Sequence, residues 1–131
     1  MRFFILAAAV ITSQPALSAS PAFSDAQLCQ AAIATNNGHS AKAVKVLSSQ
    51  EGIVEVSYLR PSDGRHFKFW CKIEPAEIRW QDEYIGRWAQ NLRVYYKLLD
   101  ADKTLEVRSV TFIAGEEPYS DIKTFTRKDF K

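Results

Sequence analysis

The side chains of this 131-residue chain with chemical potential are two histidines, three pairs of neighbouring acids, and aromatic residues flanked by Lys and Arg. Nucleophilic catalysis needs a hydroxyl or thiol activated by a base, usually His. His39 lies in the polar stretch Asn36-Asn37-Gly38-His39-Ser40, which reads as a solvated loop. His66 shares a strand face with Lys68, where a histidine is ordinarily a surface residue. Two acids alone can hydrolyse a glycoside, and Glu74 with Glu77, Asp82 with Glu83, and Glu116 with Glu117 are the candidates. Each pair falls in a turn-like segment beside Pro or Gly, where acids mainly confer solubility. Asp100-Ala101-Asp102 resembles the start of a calcium loop, but the glycine and liganding glutamate are missing. There is no nucleophile elbow, phosphate-cradling glycine loop or zinc-binding His-Glu pair. The expectation is no catalytic residue, no metal and no cofactor. A small hydrolase using a carboxylate pair or His66 is the enzymatic alternative.

The aromatic and basic residues are the stronger signal. On one face of a strand Trp70 is flanked by His66, Lys68 and Lys72; on another Tyr95 is flanked by Arg93 and Lys97. Trp80 and Trp88 bracket Arg79 and Arg87 in an expected loop region. Aromatic faces beside cations can grip a sugar ring, an anionic polymer or a protein partner. The competing explanation is that sheets place aromatic and Lys residues on solvent faces because cross-strand pairs stabilise them; Trp80 then belongs to the core with Ile78. The candidate binding face is therefore Trp70, Lys68, Lys72, His66, Tyr95, Arg93 and Lys97.

The elements that must position these residues start with an export signal. Met1-Arg2 is a short positive start, Phe3 to Ile11 an apolar run, and Ser13-Gln14-Pro15 a break before the small residues Ala16 to Ser20. That order is a cleavable secretory signal, too short to span a bilayer. The expected domains are a signal at 1–19, cut near 18–20, and a single disulfide-stapled α+β domain at 20–131. Leu28 before Cys29 argues against lipidation. A net charge of +2 spread in alternating signs favours neither nucleic acid nor a membrane surface. Two cysteines in an exported chain allow one pairing, Cys29–Cys71. Closing that loop of about 40 residues contributes about 4 kcal/mol by the chain-entropy model.

Phe23-Ser24-Asp25-Ala26-Gln27-Leu28 is a helix start, with Ser24 as cap, Gln27 completing a capping box, and Phe23 with Leu28 as a staple. The helix runs to about Thr35, and Asn36-Asn37-Gly38 stops it. Leu28, Cys29, Ala32 and Ile33 form its buried stripe. From Ala41 the pattern has period two. Val44 and Val46 lead into Val54, Val56 and Tyr58, then a turn at Arg60–Gly64. The return strand puts Phe67, Phe69, Cys71 and Ile73 on one face and His66, Lys68, Trp70 and Lys72 on the other. Cys71 thus shares a side with apolar residues, as Cys29 does. Further strands are expected at 77–81, 92–99, 105–113 and 122–126. The penultimate one carries a bulge near Arg108-Ser109, where the core face changes from Leu105 and Val107 to Val110 and Phe112. A terminal helical turn tucks in Phe130. The fold expected is α+β: one N-terminal helix packed on a curved antiparallel meander sheet of six or seven strands, nearly a barrel.

The runs Cys29-Gln-Ala-Ala-Ile-Ala-Thr35, Val56-Ser-Tyr-Leu-Arg-Pro-Ser-Asp-Gly64, Phe69-Trp-Cys-Lys72, Ile78-Arg-Trp80 and Gly86-Arg-Trp88 resemble an uncharacterised family of small exported bacterial (proteobacterial) proteins. Its members have a signal peptide and the same two cysteines. The resemblance spans roughly Cys29 to Trp88, implies a periplasmic location and supplies no catalytic residue. The functional expectation is a periplasmic, non-catalytic binding or inhibitory module for an envelope glycan or an exported protein. An inhibitor of a cell-wall lytic enzyme is one form this would take, by analogy of architecture. No nucleic acid partner is expected, and no membrane insertion once the signal is cut.

Overall fold

The computed structural model describes residues 23–131; the expected export signal and its cut site lie outside the described residues. One α-helix and a seven-stranded antiparallel sheet make a mixed α+β fold that is mostly sheet. Helix α1 spans Asp25–Asn37. Its start is the expected capping box: Gln27 N–H donates to Ser24 Oγ at 3.1 Å, and Ser24 N–H donates to Gln27 Oε1 at 3.0 Å. It stops at Gly38, whose φ of 71° is the left-handed cap that glycine adopts without a Cβ penalty.

The strands are β1 (Val44–Gln50), β2 (Ile53–Leu59), β3 (His66–Glu74), β4 (Glu77–Asp82), β5 (Leu92–Leu99), β6 (Thr104–Thr111) and β7 (Tyr119–Phe125). Each pairs with its neighbours in sequence, in the order β1 to β7. The short connections, two residues at the β1–β2 and β3–β4 turns, favour such local pairing. Alternation puts Val54, Val56, Tyr58, Phe69, Cys71, Ile78, Val94, Leu105, Val107 and Phe125 in the core with Leu28, Cys29, Ala32 and Ile33 of α1. The Cys29–Cys71 disulfide forms at a Cα separation of 5.7 Å, both residues fully buried. It ties the helix to the middle of β3.

A short 3-10 turn, Ala41–Ala43, leads directly into β1, and another, Arg127–Phe130, follows β7. The two turns touch. A flat sheet would hold β1 and β7 about 29 Å apart, six spacings of about 4.8 Å. The sheet is therefore rolled around α1 at that end. Phe130 closes the roll, its ring 5.9 Å from Phe23 and 5.8 Å from Phe125.

The expected bulge near Arg108-Ser109 is a correction. The β5–β6 register runs unbroken from Leu92↔Thr111 to Leu99↔Thr104, and the bulge falls in β1 between Val46 and Ser48. Ser109 stays on the inner face because its hydroxyl donates to Asn36 Oδ1 at 2.7 Å, at the end of α1. With that group satisfied, no bulge is needed to turn it outward. Val110 accordingly alternates with Ser109 in the strand yet is buried, while Phe112, beyond the end of β6, is exposed.

Candidate functional site

The outer face of the sheet, opposite α1, carries every residue of the expected binding set. Register arranges them in rows across the strands. One row runs Glu55–Trp70–Gln81 over β2, β3 and β4. A second runs Glu74–Glu77–Tyr95–Arg108–Ile122 over β3 to β7. Between them Lys72 stands opposite Arg79, and Arg93 lies one residue past the Ile78–Val94 pair on the other side of Arg79.

Trp70 and Tyr95 are both partly buried, which leaves part of each ring open to ligand. Their row positions differ by four residues and two strands, so they stand about 16 Å apart on a diagonal. They are not one cluster. Arg108 lies over the Tyr95 ring at 5.5 Å, and beside them Ala76, Lys97, Glu106 and Ile122 line a shallow groove.

The cations are largely neutralised. Lys68 faces Glu55 at 3.6 Å, Lys72 faces Glu74 at 3.8 Å and Lys97 faces Glu106 at 3.4 Å. Arg93 makes a two-bond clamp on Glu77, Nε to Oε2 and Nη2 to Oε1, both 2.9 Å. That hydrogen bond, with the charge of Glu77, raises the Arg93 pKa. These pairs are exposed on one side at least, so they add little stability; their effect is to flatten the local field.

His66 stands opposite Leu59 at the far end of β3, beside Lys42, Lys45 and Ser57; no carboxylate lines that surface. Glu74 and Glu77 do meet across the β3–β4 hairpin, but each faces a cation. Asp82 caps the turn after β4, accepting from Tyr84 N–H at 3.1 Å and Ile85 N–H at 2.7 Å. Glu83 accepts from Lys68 N–H at 3.3 Å. Glu116 and Glu117 are exposed in the turn before β7. No group of three or more potential metal ligands occurs among the described residues.

No family model matches the chain, and neither does any curated protein or solved structure. The site is read from its geometry alone. No helix among the described residues is long and apolar enough to cross a membrane.

Trp80 turns inward, packing on Phe69 at 6.2 Å and donating from Nε1 to Leu92 O at 2.9 Å. Trp88 is partly buried in the segment between β4 and β5. Trp80 and Arg79 are therefore on opposite sides of one strand, and Arg79 joins the outer face rather than a loop. The signal for this was present: apolar Ile78 and Trp80 two residues apart leave Arg79 pointing the other way.

His39 is a second correction, since it is not a solvated loop residue. Its ring is partly buried and stacks on Tyr58 with centroids 3.9 Å apart, Nδ1 standing 3.2 Å from Tyr58 Oη. Its carbonyl accepts from Lys123 Nζ at 2.6 Å. Burial and then the Lys123 charge lower its pKa below the usual 6.5. The folded protein thus resists a proton that the unfolded chain accepts. This contribution to stability is complete above about pH 6.5 and is lost as pH falls toward the folded value. Thermal unfolding of His39→Gln should depend less on pH between 7 and 5 than that of the parent. Parallel curves would show that His39 protonates as freely when folded.

Proposed function

We propose that this domain is a non-catalytic binding module of the bacterial cell envelope, laying an extended glycan across the outer face of the sheet. The observation that carries the reading is the pair of partly buried rings, Trp70 and Tyr95, on one face, with backbone positions about 16 Å apart by strand geometry. Two stacking platforms at that spacing suit a chain of sugars better than any single small molecule. Polar and charged groups between them, Arg79 and Gln81 among them, can hydrogen-bond to hydroxyls.

The periplasmic setting rests on the buried disulfide, which persists in oxidising compartments, and on the family resemblance of the sequence. A hydrolase is less well supported. A general acid needs a carboxyl kept protonated by apolar surroundings, whereas Glu77 sits in a clamp with Arg93. The paired cations also argue against a nucleic acid, whose binding relies on unneutralised charge.

The test is affinity electrophoresis of the oxidised domain through gels holding soluble polysaccharides, neutral (dextran) and acidic (polygalacturonate). The parent should be retarded by at least one, and Trp70→Ala with Tyr95→Ala should lose about 10- to 100-fold in affinity, since each aromatic contact is worth about 1 kcal/mol or more. The double variant should keep its unfolding temperature within a few degrees. Absence of retardation by every polymer, or retardation unchanged in the double variant, sinks the reading.

A further inference from the structure

We infer that Arg79 is the anchor of this face and that the glycan it takes is acidic, with a carboxylate seated on Arg79 between the two aromatic platforms. The inference rests on the reading above and adds the chemical class of the ligand.

Of three cations on neighbouring strands, Lys72 stands directly opposite Arg79, and Arg93 lies across the β4–β5 seam, one residue past the last paired position. Like charges directly opposite each other destabilise a sheet. Two of the three are relieved, Lys72 by Glu74 and Arg93 by Glu77. Both acids lie on the same side of the row, toward Tyr95. Arg79, in the middle, belongs to none of the ion pairs found among the described residues. Its Nε is buried and has no hydrogen-bond partner among them. A buried donor left unsatisfied costs free energy, and a cation wedged between two others adds to that cost. A cation left without an internal counter-charge is expected where a ligand supplies one.

The missing partner is an acceptor with negative charge. Arg79 lies diagonally between Trp70 and Tyr95, one strand and two residues from each, about 8 Å by strand geometry. A polymer spanning both rings therefore passes over it. Because Nε is closed off from the surface, the Nη1–Nη2 edge of the guanidinium is the one a planar carboxylate can match with two parallel hydrogen bonds. Among the described residues Arg79 is the one cation without an ion pair between the two rings, with Arg108 at the Tyr95 end of the diagonal, so a chain with dense phosphates finds few partners, whereas a sugar acid flanked by stacked rings is satisfied.

The experiment compares polygalacturonate with its fully methyl-esterified form, the same backbone without charge, using the oxidised full domain. Tighter binding of the acid polymer is expected, weakening as salt rises because the site is partly open to solvent. Arg79→Gln should abolish that preference, costing about 10- to 100-fold for the acid polymer only. Arg79→Lys should recover part of it, and Lys45→Gln, a cation on the same face but off the diagonal, should leave it intact. Arg79→Gln should unfold no earlier than the parent, because it removes a like-charge contact. Equal binding of both polymers, still dependent on Trp70 and Tyr95, overturns the acidic ligand and leaves the glycan face standing. Failure of both to bind removes the anchor, and with no retardation by dextran either it removes the glycan face as well. Arg79-dependent binding of polyphosphate as tight as that of polygalacturonate overturns the sugar-acid assignment.

Discussion

A chain carrying Cys29→Ala and Cys71→Ala is expected to lose about 4 kcal/mol of stability. Both cysteines are fully buried and their Cα atoms lie 5.7 Å apart, so the alanines leave no exposed defect and only a small void. The loss comes chiefly from the unfolded chain, which regains the freedom that closing a loop of about 40 residues denied it. Small domains have only about 5–15 kcal/mol in total, and α1 is the one α-helix among the described residues that packs on the seven-stranded sheet. With a urea slope of about 2 kcal/mol per molar, the midpoint should drop by roughly 2 M. The double variant avoids the free thiol that either single replacement would bury. A midpoint within a few tenths of a molar of the parent would show that apolar packing alone holds α1 in place.

Trp80→Ala should cost about 3–5 kcal/mol, more than a partly buried residue would suggest. The β4–β5 ladder has two paired positions, Glu77↔Tyr95 and Ile78↔Val94, while the neighbouring ladders are longer. Past Ile78 the backbones separate. Trp80 bridges the seam with its side chain, donating from Nε1 to Leu92 O, while its own carbonyl accepts from Ala89 N–H at 2.7 Å. Tyr96 pins the other end through Glu74 O at 3.0 Å and Ala76 O at 3.1 Å. Removing the indole should let β5, β6 and β7 open as a unit. Hydrogen exchange at Leu92–Tyr96 should speed up more than at Val54–Tyr58. Trp80→Phe keeps most of the apolar contact and should lose only about 1 kcal/mol. Uniform exchange across the sheet would sink the idea of a weak seam.

Much of the architecture was legible because it is local. Ser24 and Gln27 are three residues apart, and a capping box needs nothing beyond that turn. The strands announce themselves by alternation, and short turns favour pairing with the neighbour in sequence. The disulfide followed from two independent periodicities, one placing Cys29 on the apolar stripe of a helix and the other placing Cys71 on the apolar face of a strand. The failures have a shared cause. Val110 and Phe112 are apolar and suggested a bulge, yet Ser109 is the inward residue because Asn36, 73 positions away, accepts its hydroxyl. His39 looked like a polar loop residue until Tyr58 of β2 and Lys123 of β7 closed on it.

The candidate site divides the same way. Alternation along β3 and β5 was enough to turn Trp70, Lys72, Arg93 and Tyr95 outward, because side-chain direction in a strand depends on parity alone. Whether those residues meet depends on register between strands. That is set by the fit of the core and by the turns, and no short stretch of chain encodes it. Tertiary structure therefore decided that Trp70 and Tyr95 stand apart, that four cations have their own carboxylates, and that Arg79 is left between two neighbours of its own sign.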